Sequence, residues 1–194
     1  GWTDSKSKQA QNVRQRWLAA ADLIAEDQSL SVDTRLWAHY PHFTLAAKDA
    51  QTGPNLQERI SAAVKEADLS AQSLYERQSV ISGAAYLLRK VNKPGEARKL
   101  LLAELNRSEA PWYYQSSLAR LEEELGNHDV ALSWASAARR SAKGRATRVQ
   151  WIVNDIHMNA TLGGETAAER IEPLLEHYYQ LTLQLEDGFS GRNA

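Results

Sequence analysis

Apolar and polar positions alternate along most of this chain with the period of an α-helix. Near the start, Val13, Trp17 and Ile24 recur at spacings of four and seven residues, which places them on one helical face. The two-residue alternation of a half-buried strand barely occurs. The pattern predicts an all-α fold of about nine helices that pair antiparallel through short loops. The predicted helices cover residues 4–25, 31–47, 55–69, 73–91, 94–106, 111–125, 127–141, 147–162 and 166–185.

Proline and glycine residues predict where these helices are interrupted. Pro41 removes a backbone donor inside the second predicted helix, so we expect a break or kink there. Residues 48–54 contain a Gly-Pro pair and predict a loop, and Gly126 predicts a left-handed helix end. Pro173 predicts a kink in the last helix. We expect the tail, residues 188–194, to be frayed.

Two segments in the second half of the chain match each other at an offset of 34 residues. Each contains a helical stretch, a turn, a small residue and a second helical stretch, with Ala97 and Ala131 in equivalent positions. In the same alignment Asn92 corresponds to Gly126. A 34-residue helix–turn–helix period is typical of tetratricopeptide-like repeats, whose units stack into a solenoid with a groove. We expect the two alanines to lie where the helices of a repeat cross closely.

The repeat pattern also predicts the domain organisation. A final helix pair looks like a third, looser repeat, because Ala168 lies 37 residues after Ala131. We therefore predict a single helical-repeat domain over residues 1–194, with irregular N-terminal helices at 1–72 and repeat pairs at 73–187.

Composition narrows the classes of function. The chain is 43% hydrophobic and 24% charged, which is typical of a folded protein. Its formal net charge of −1 argues against nucleic-acid binding, and no apolar run is long enough to span a membrane. Cysteine is absent, which excludes disulfides and thiolate chemistry in this chain. Met158 is the only methionine, so we expect that a segment upstream of this chain has been removed.

Few residues are candidates for catalysis or metal binding. His39 and His42 are three residues apart and could share a helical face, but Pro41 lies between them and no third ligand is implied. We therefore favour a structural role for both histidines. The acidic run Glu122–Glu124 lies on a helix whose other face is apolar, so we interpret it as a solvated surface. We expect no catalytic residue, no metal site and no cofactor.

Three successive aromatic residues, Trp112, Tyr113 and Tyr114, open one of the predicted helices. Successive residues of a helix point about 100° apart, so these three side chains cannot all face the core. At least one of them should be exposed or lie at an interface.

Three short motifs carry a resemblance to a known family. They are YERQ at residues 75–78, AAYLL at 84–88 and ATRVQW at 146–151. Together they make residues 17–162 similar to the helical region downstream of the thioredoxin-like domain in certain bacterial thioredoxin-family proteins. The resemblance implies an upstream thioredoxin-like domain and a periplasmic location. The redox work of that family belongs to a Cys-x-x-Cys pair, and because this chain has no cysteine, no catalytic residue carries over.

We interpret the chain as a non-catalytic protein-interaction module attached to such a redox domain. In a tetratricopeptide-like array the first helix of each pair lines the groove, and the alignment places two tyrosines beside basic residues there. Such a groove would suit an extended peptide with a carboxylate, because arginine binds carboxylates through two hydrogen bonds. The predicted groove residues are Tyr86, Arg89, Lys90, Tyr113, Arg120, Gln150 and His157, with Ser82, Ser116, Glu123 and Val153 beside them.

Three other functions fit the same sequence. The chain could be a structural spacer, in which case the predicted groove residues are ordinary exposed side chains. It could be a dimerisation unit with its contact at Trp112–Tyr114, which sedimentation would reveal. It could also be part of an enzyme whose active site lies mainly in a missing domain, which the full coding sequence would reveal.

Overall fold

A computed structural model of the chain describes residues 7–45 and 54–185. Within these ranges every regular element is helical and no strand occurs, which confirms the all-α prediction. The predicted frayed tail and most of the predicted loop at 48–54 lie outside the described residues. The described elements are α1 (Lys8–Glu26), α2 (Val32–Trp37), α3 (Tyr40–Thr44), α4 (Pro54–Ser70), α5 (Leu74–Lys90), α6 (Pro94–Glu104), α7 (Pro111–Glu124), α8 (His128–Ser141), α9 (Arg145–Leu162), a short 3-10 helix (Gly164–Thr166) and α10 (Ala167–Thr182).

The break expected at Pro41 is confirmed. One helix was predicted for residues 31–47, but α2 ends at Trp37 and α3 begins at Tyr40. Pro41 lies in the first turn of α3, where an intrahelical donor is not needed. This break turns the second of the nine predicted helices into two. Pro173 lies inside α10, which continues past it.

Residue contacts group the chain into two compact units, residues 1–100 and residues 101–194, with the boundary inside α6. The first unit contains α1 to α5 and the start of α6, and the second contains the end of α6 and α7 to α10. The single-domain organisation stays a prediction.

The short helix α2 lies at the centre of the first unit, where it contacts α1, α4 and α5. Leu36 of α2 is buried, as are Ile60 of α4 and Ile81 of α5. Trp37 lies against Gly83 of α5, and a Cβ atom at this glycine would come within 3.0 Å of the indole Nε1. Glycine at position 83 therefore lets the Trp37 ring contact the α5 backbone directly.

The second unit contains a run of four helices, α7 to α10, in which each helix packs against the next. Ala119 of α7 shares a buried cluster with Ala131 and Ala135 of α8 and with Met158 of α9. The small side chains at this contact between α7 and α8 fit the close crossing predicted at Ala131. Its counterpart in the alignment, Ala97 of α6, is also fully buried.

The 34-residue alignment holds at the ends of α5 and α7. Asn92 follows α5 with a φ of 60°, and Gly126 follows α7 with a φ of 75°. In the part of the chain that the structure describes, no other non-glycine residue has a positive φ. The N–H groups of residues 93 and 127 then donate to the carbonyls five residues earlier, each at 2.8 Å. The two helix–turn–helix segments therefore share their turn geometry.

Candidate interaction face

The residues predicted to line a groove fall in two separate units. Tyr86, Arg89 and Lys90 lie on α5 in the first unit. The remaining four lie in the second unit, with Tyr113 and Arg120 on α7 and Gln150 and His157 on α9.

Tyr86 belongs to an aromatic cluster in the first unit. Its ring centroid lies 5.7 Å from that of Trp37 and 6.2 Å from that of Tyr40, and the side chain is half-buried. Lys90, one turn further along α5, places its Nζ 5.4 Å from the Tyr86 centroid, within cation–π distance. The ring therefore packs α5 against α2 and α3, and the neighbouring Trp37 and Tyr40 side chains are exposed.

Two side-chain contacts join α7 to α9. The ring of Tyr113 meets that of Trp151 edge to face, with centroids 5.7 Å apart and planes at 83°. Asn154 donates from Nδ2 to the Ser116 hydroxyl at 3.4 Å. These contacts place the predicted α7 and α9 residues on adjoining helices. We call this surface the α7–α9 face, and its exposed members are Tyr113, Arg120, Gln150, Val153 and His157.

The aromatic triplet at the start of α7 divides as predicted. Trp112 is buried in a cluster with Ala138, Ala142 and Trp151, and Tyr114 is also buried. Tyr113 is the exposed member, with 39% of its surface accessible. The two buried rings hold the start of α7 in place, so the Tyr113 ring is presented from a rigid segment.

Arg120 supplies an available positive charge on the α7–α9 face. Its side chain is exposed, and within residues 7–45 and 54–185 no carboxylate forms an ion pair with it. Glu123, on the next turn of α7, is half-buried. A ligand carboxylate could therefore approach the guanidinium without displacing an existing partner.

The interpretation of Glu122–Glu124 as a solvated run is wrong for Glu122, which is 1% exposed. This residue lies on the same side of α7 as the buried Leu118 and aligns with the buried Leu88 of the preceding repeat. Its Oε2 accepts a hydrogen bond from Asn127 Nδ2 at 2.8 Å, which ties the end of α7 to the following turn. An acidic side chain can be buried there because it is hydrogen-bonded.

The first unit contains a charged cluster around Asp22. His42 Nε2 lies 2.8 Å from the Asp22 Oδ1, and Arg59 Nη2 pairs with the same oxygen. Arg59 Nε donates to His39 Nδ1 at 3.2 Å. The ring centroids of His39 and His42 lie 6.4 Å apart, and Arg59 contacts both His39 and the Asp22 carboxylate that pairs with His42. Across the described ranges no group of three His, Asp or Glu side chains has the arrangement of a metal site.

The pKa values in this cluster follow from burial and from Arg59. Burial lowers the pKa of His39 to about 4, with the nearby Arg59 and His42 charges adding to the effect. Burial and Arg59 also lower the pKa of His42, although Asp22 opposes them. Burial alone would raise the pKa of Asp22, but hydrogen bonds and charges from Arg59 and His42 together lower it. These pKa shifts favour a neutral His39 beside an ionised Asp22.

Comparisons with known proteins assign no family. No family model matches the chain, and neither the curated proteins nor the solved structures contain a significant match. No helix within the described ranges is long and apolar enough to cross a membrane.

Proposed function

We propose that this chain is a non-catalytic protein-interaction module whose α7–α9 face binds an extended peptide through a carboxylate. One observation carries the proposal: Tyr113 and Arg120 are exposed on α7 while Gln150 and His157 are exposed on the adjoining α9. The matching turn geometry of two segments 34 residues apart supports a tetratricopeptide-like array, in which the first helices of successive pairs form such a surface.

Three side chains of this face suit peptide recognition. Arg120 can bind a carboxylate through two parallel hydrogen bonds. Tyr113 offers a flat ring that is already fixed against Trp151, so binding costs little side-chain entropy. Gln150 carries both a donor and an acceptor, which can pair with the main chain of an extended peptide. The contacts between α7 and α9 hold the side chains of this face at fixed positions before a partner binds.

Selection from a displayed library of random peptides against the intact chain tests the proposal. Recovered peptides should share an acidic residue or a free terminal carboxylate. Titrations of a recovered peptide should show that Arg120→Glu weakens binding roughly tenfold and reduces its salt dependence. Lys143→Glu is the matched control, because Lys143 is an exposed base in the loop before α9. Equal affinity of Arg120→Glu and Lys143→Glu would reject the α7–α9 face, and the absence of any enriched peptide would favour the spacer.

The link to a thioredoxin-like domain and to the periplasm is also proposed, and sequence resemblance alone supports it. The motifs at residues 75–78, 84–88 and 146–151 lie in α5 and α9. The full coding sequence tests this link. An upstream domain with a Cys-x-x-Cys pair is the expected result. A different catalytic domain upstream would reject the link to a thioredoxin-like domain.

A further inference from the structure

A second surface, in the first unit, has the composition of a helix-binding groove. The long helix α1 has one buried residue, Ala21, among its described side chains. Val13 is 56% exposed and Trp17 is 62% exposed, although both are large apolar residues one turn apart on the same face. Scattered apolar residues on a surface are ordinary, but two that line one groove indicate a binding surface.

The opposite wall of this groove comes from α3. Pro41, Thr44 and Leu45 face Val13 and Trp17 across an open space of about 1060 Å³. This volume slightly exceeds the roughly 300–1,000 Å³ typical of small-molecule sites, so it suits a polypeptide segment. A groove lined by two helices is the kind of surface on which an amphipathic helix can lay its apolar face.

The charged residues that line this groove indicate the chemistry of its partner. Arg14 and Arg16 are the charged residues that line the groove in the described part of the chain, and no carboxylate lines it. At 100° per residue, each arginine lies about 80° around α1 from the centre of the Val13–Trp17 stripe, on opposite sides. Neither arginine is paired with a carboxylate in the described ranges. The apolar stripe is thus bordered by an available positive charge on each side.

We propose that this groove binds an acidic amphipathic helix of another protein. The apolar face of that helix would cover Val13 and Trp17, and acidic residues on both edges of its apolar face would pair with Arg14 and Arg16. The groove shares no residue with the α7–α9 face, so either surface can fail as a binding site without the other.

The test uses the intact chain and a dye-labelled synthetic helix of about 18 residues, long enough to form a helix on binding. Leucines form one face of this probe and glutamates border it, and a second probe replaces the glutamates with lysines. Fluorescence anisotropy should show that the acidic probe binds and the basic probe does not. Arg14→Glu/Arg16→Glu should weaken binding of the acidic probe roughly tenfold or more and give binding of the basic probe.

One variant tests the apolar contact, and another is a control for the charge reversal. Trp17→Ala should weaken binding of the acidic probe. The variant should keep its helical content, because the Trp17 side chain is largely exposed. Lys65→Glu, an exposed charge reversal on α4, should leave its affinity within about twofold.

Several outcomes would overturn the proposal. They are failure of the acidic probe to bind, equal binding of both probes, and an unchanged affinity in the double charge reversal. Sedimentation that shows a dimer lost in Trp17→Ala would assign the groove to a second copy of this chain instead. Stronger binding to phosphatidylserine-containing vesicles than to the acidic probe, abolished by the double charge reversal, would assign the groove to a membrane surface.

Discussion

Replacement of Ala131 by leucine tests the close crossing of α7 and α8. Ala131 is 0% exposed and shares its cluster with Ala119, Ala135 and Met158, so the site offers no direction into solvent for a longer side chain. Leucine adds three carbon atoms at this point. The added atoms must push α8 away from α7 or force neighbouring side chains out of their rotamers.

The expected cost follows from the packing. Overpacking of a closed core costs about 1–3 kcal/mol. For a chain of this length, each kcal/mol lowers the melting temperature by roughly 2–4 °C, which gives a decrease of about 2–12 °C for Ala131→Leu. Thermal unfolding followed by far-ultraviolet circular dichroism, with urea unfolding as a second probe, measures this difference.

Two further variants make the test specific. Val130→Leu enlarges the preceding residue of α8, which is 45% exposed, and should change the free energy of unfolding by less than about 0.5 kcal/mol. Met158→Ala creates room beside Ala131, so the double variant should be less destabilised than the sum of the two single variants. An Ala131→Leu protein as stable as the original chain, or strict additivity with Met158→Ala, would refute the close crossing.

Other predictions concern the charged cluster, the helix ends and the buried ion pair. The pKa of His39 is about 4 in the folded chain against 6.5 in the unfolded chain. As the pH falls, the unfolded state therefore binds a proton at His39 before the folded state does. The free energy of unfolding should therefore fall as the pH decreases from about 6.5 to 4, and this residue should contribute at most about 3 kcal/mol to the decrease. Urea titrations at successive pH values should show a smaller pH dependence for His39→Gln. Gly126→Ala should cost about 1 kcal/mol because of the positive φ, whereas Asn92→Gly should be nearly neutral, and equal effects would contradict the shared turn geometry. Asp155 is buried and pairs with Arg139 at 2.8 Å, so Asp155→Ala should cost about 3 kcal/mol in chemical unfolding, and a negligible loss would contradict the buried pair.

Local signals in the sequence were sufficient to predict most of the helices, although several helix ends differ by two or three residues from the prediction. Pro41 predicts the break between α2 and α3 because a proline ring acts on its own turn. Gly126 predicts a left-handed helix end because glycine tolerates a positive φ, and the aligned Asn92 has a positive φ as well. The exposure of Tyr113 follows from helical geometry alone, since three successive side chains cannot share one face.

Contacts between distant residues could not be predicted in the same way. Tyr86 and Trp37 are 49 residues apart, and nothing in either segment indicates that they stack. The pairing of Arg59 with Asp22 is similarly nonlocal. Glu122 was misinterpreted because acidic runs are usually solvated, whereas the decisive fact is a hydrogen bond to the side chain of Asn127.

Amide chemical-shift mapping of the intact chain with a selected acidic peptide tests the proposed function most directly. Shifts should concentrate on the α7–α9 face, at Tyr113, Arg120, Gln150 and His157, and they should disappear in Arg120→Glu at the same peptide concentration. Shifts confined to other helices, or an unchanged pattern in Arg120→Glu, would contradict the proposed function.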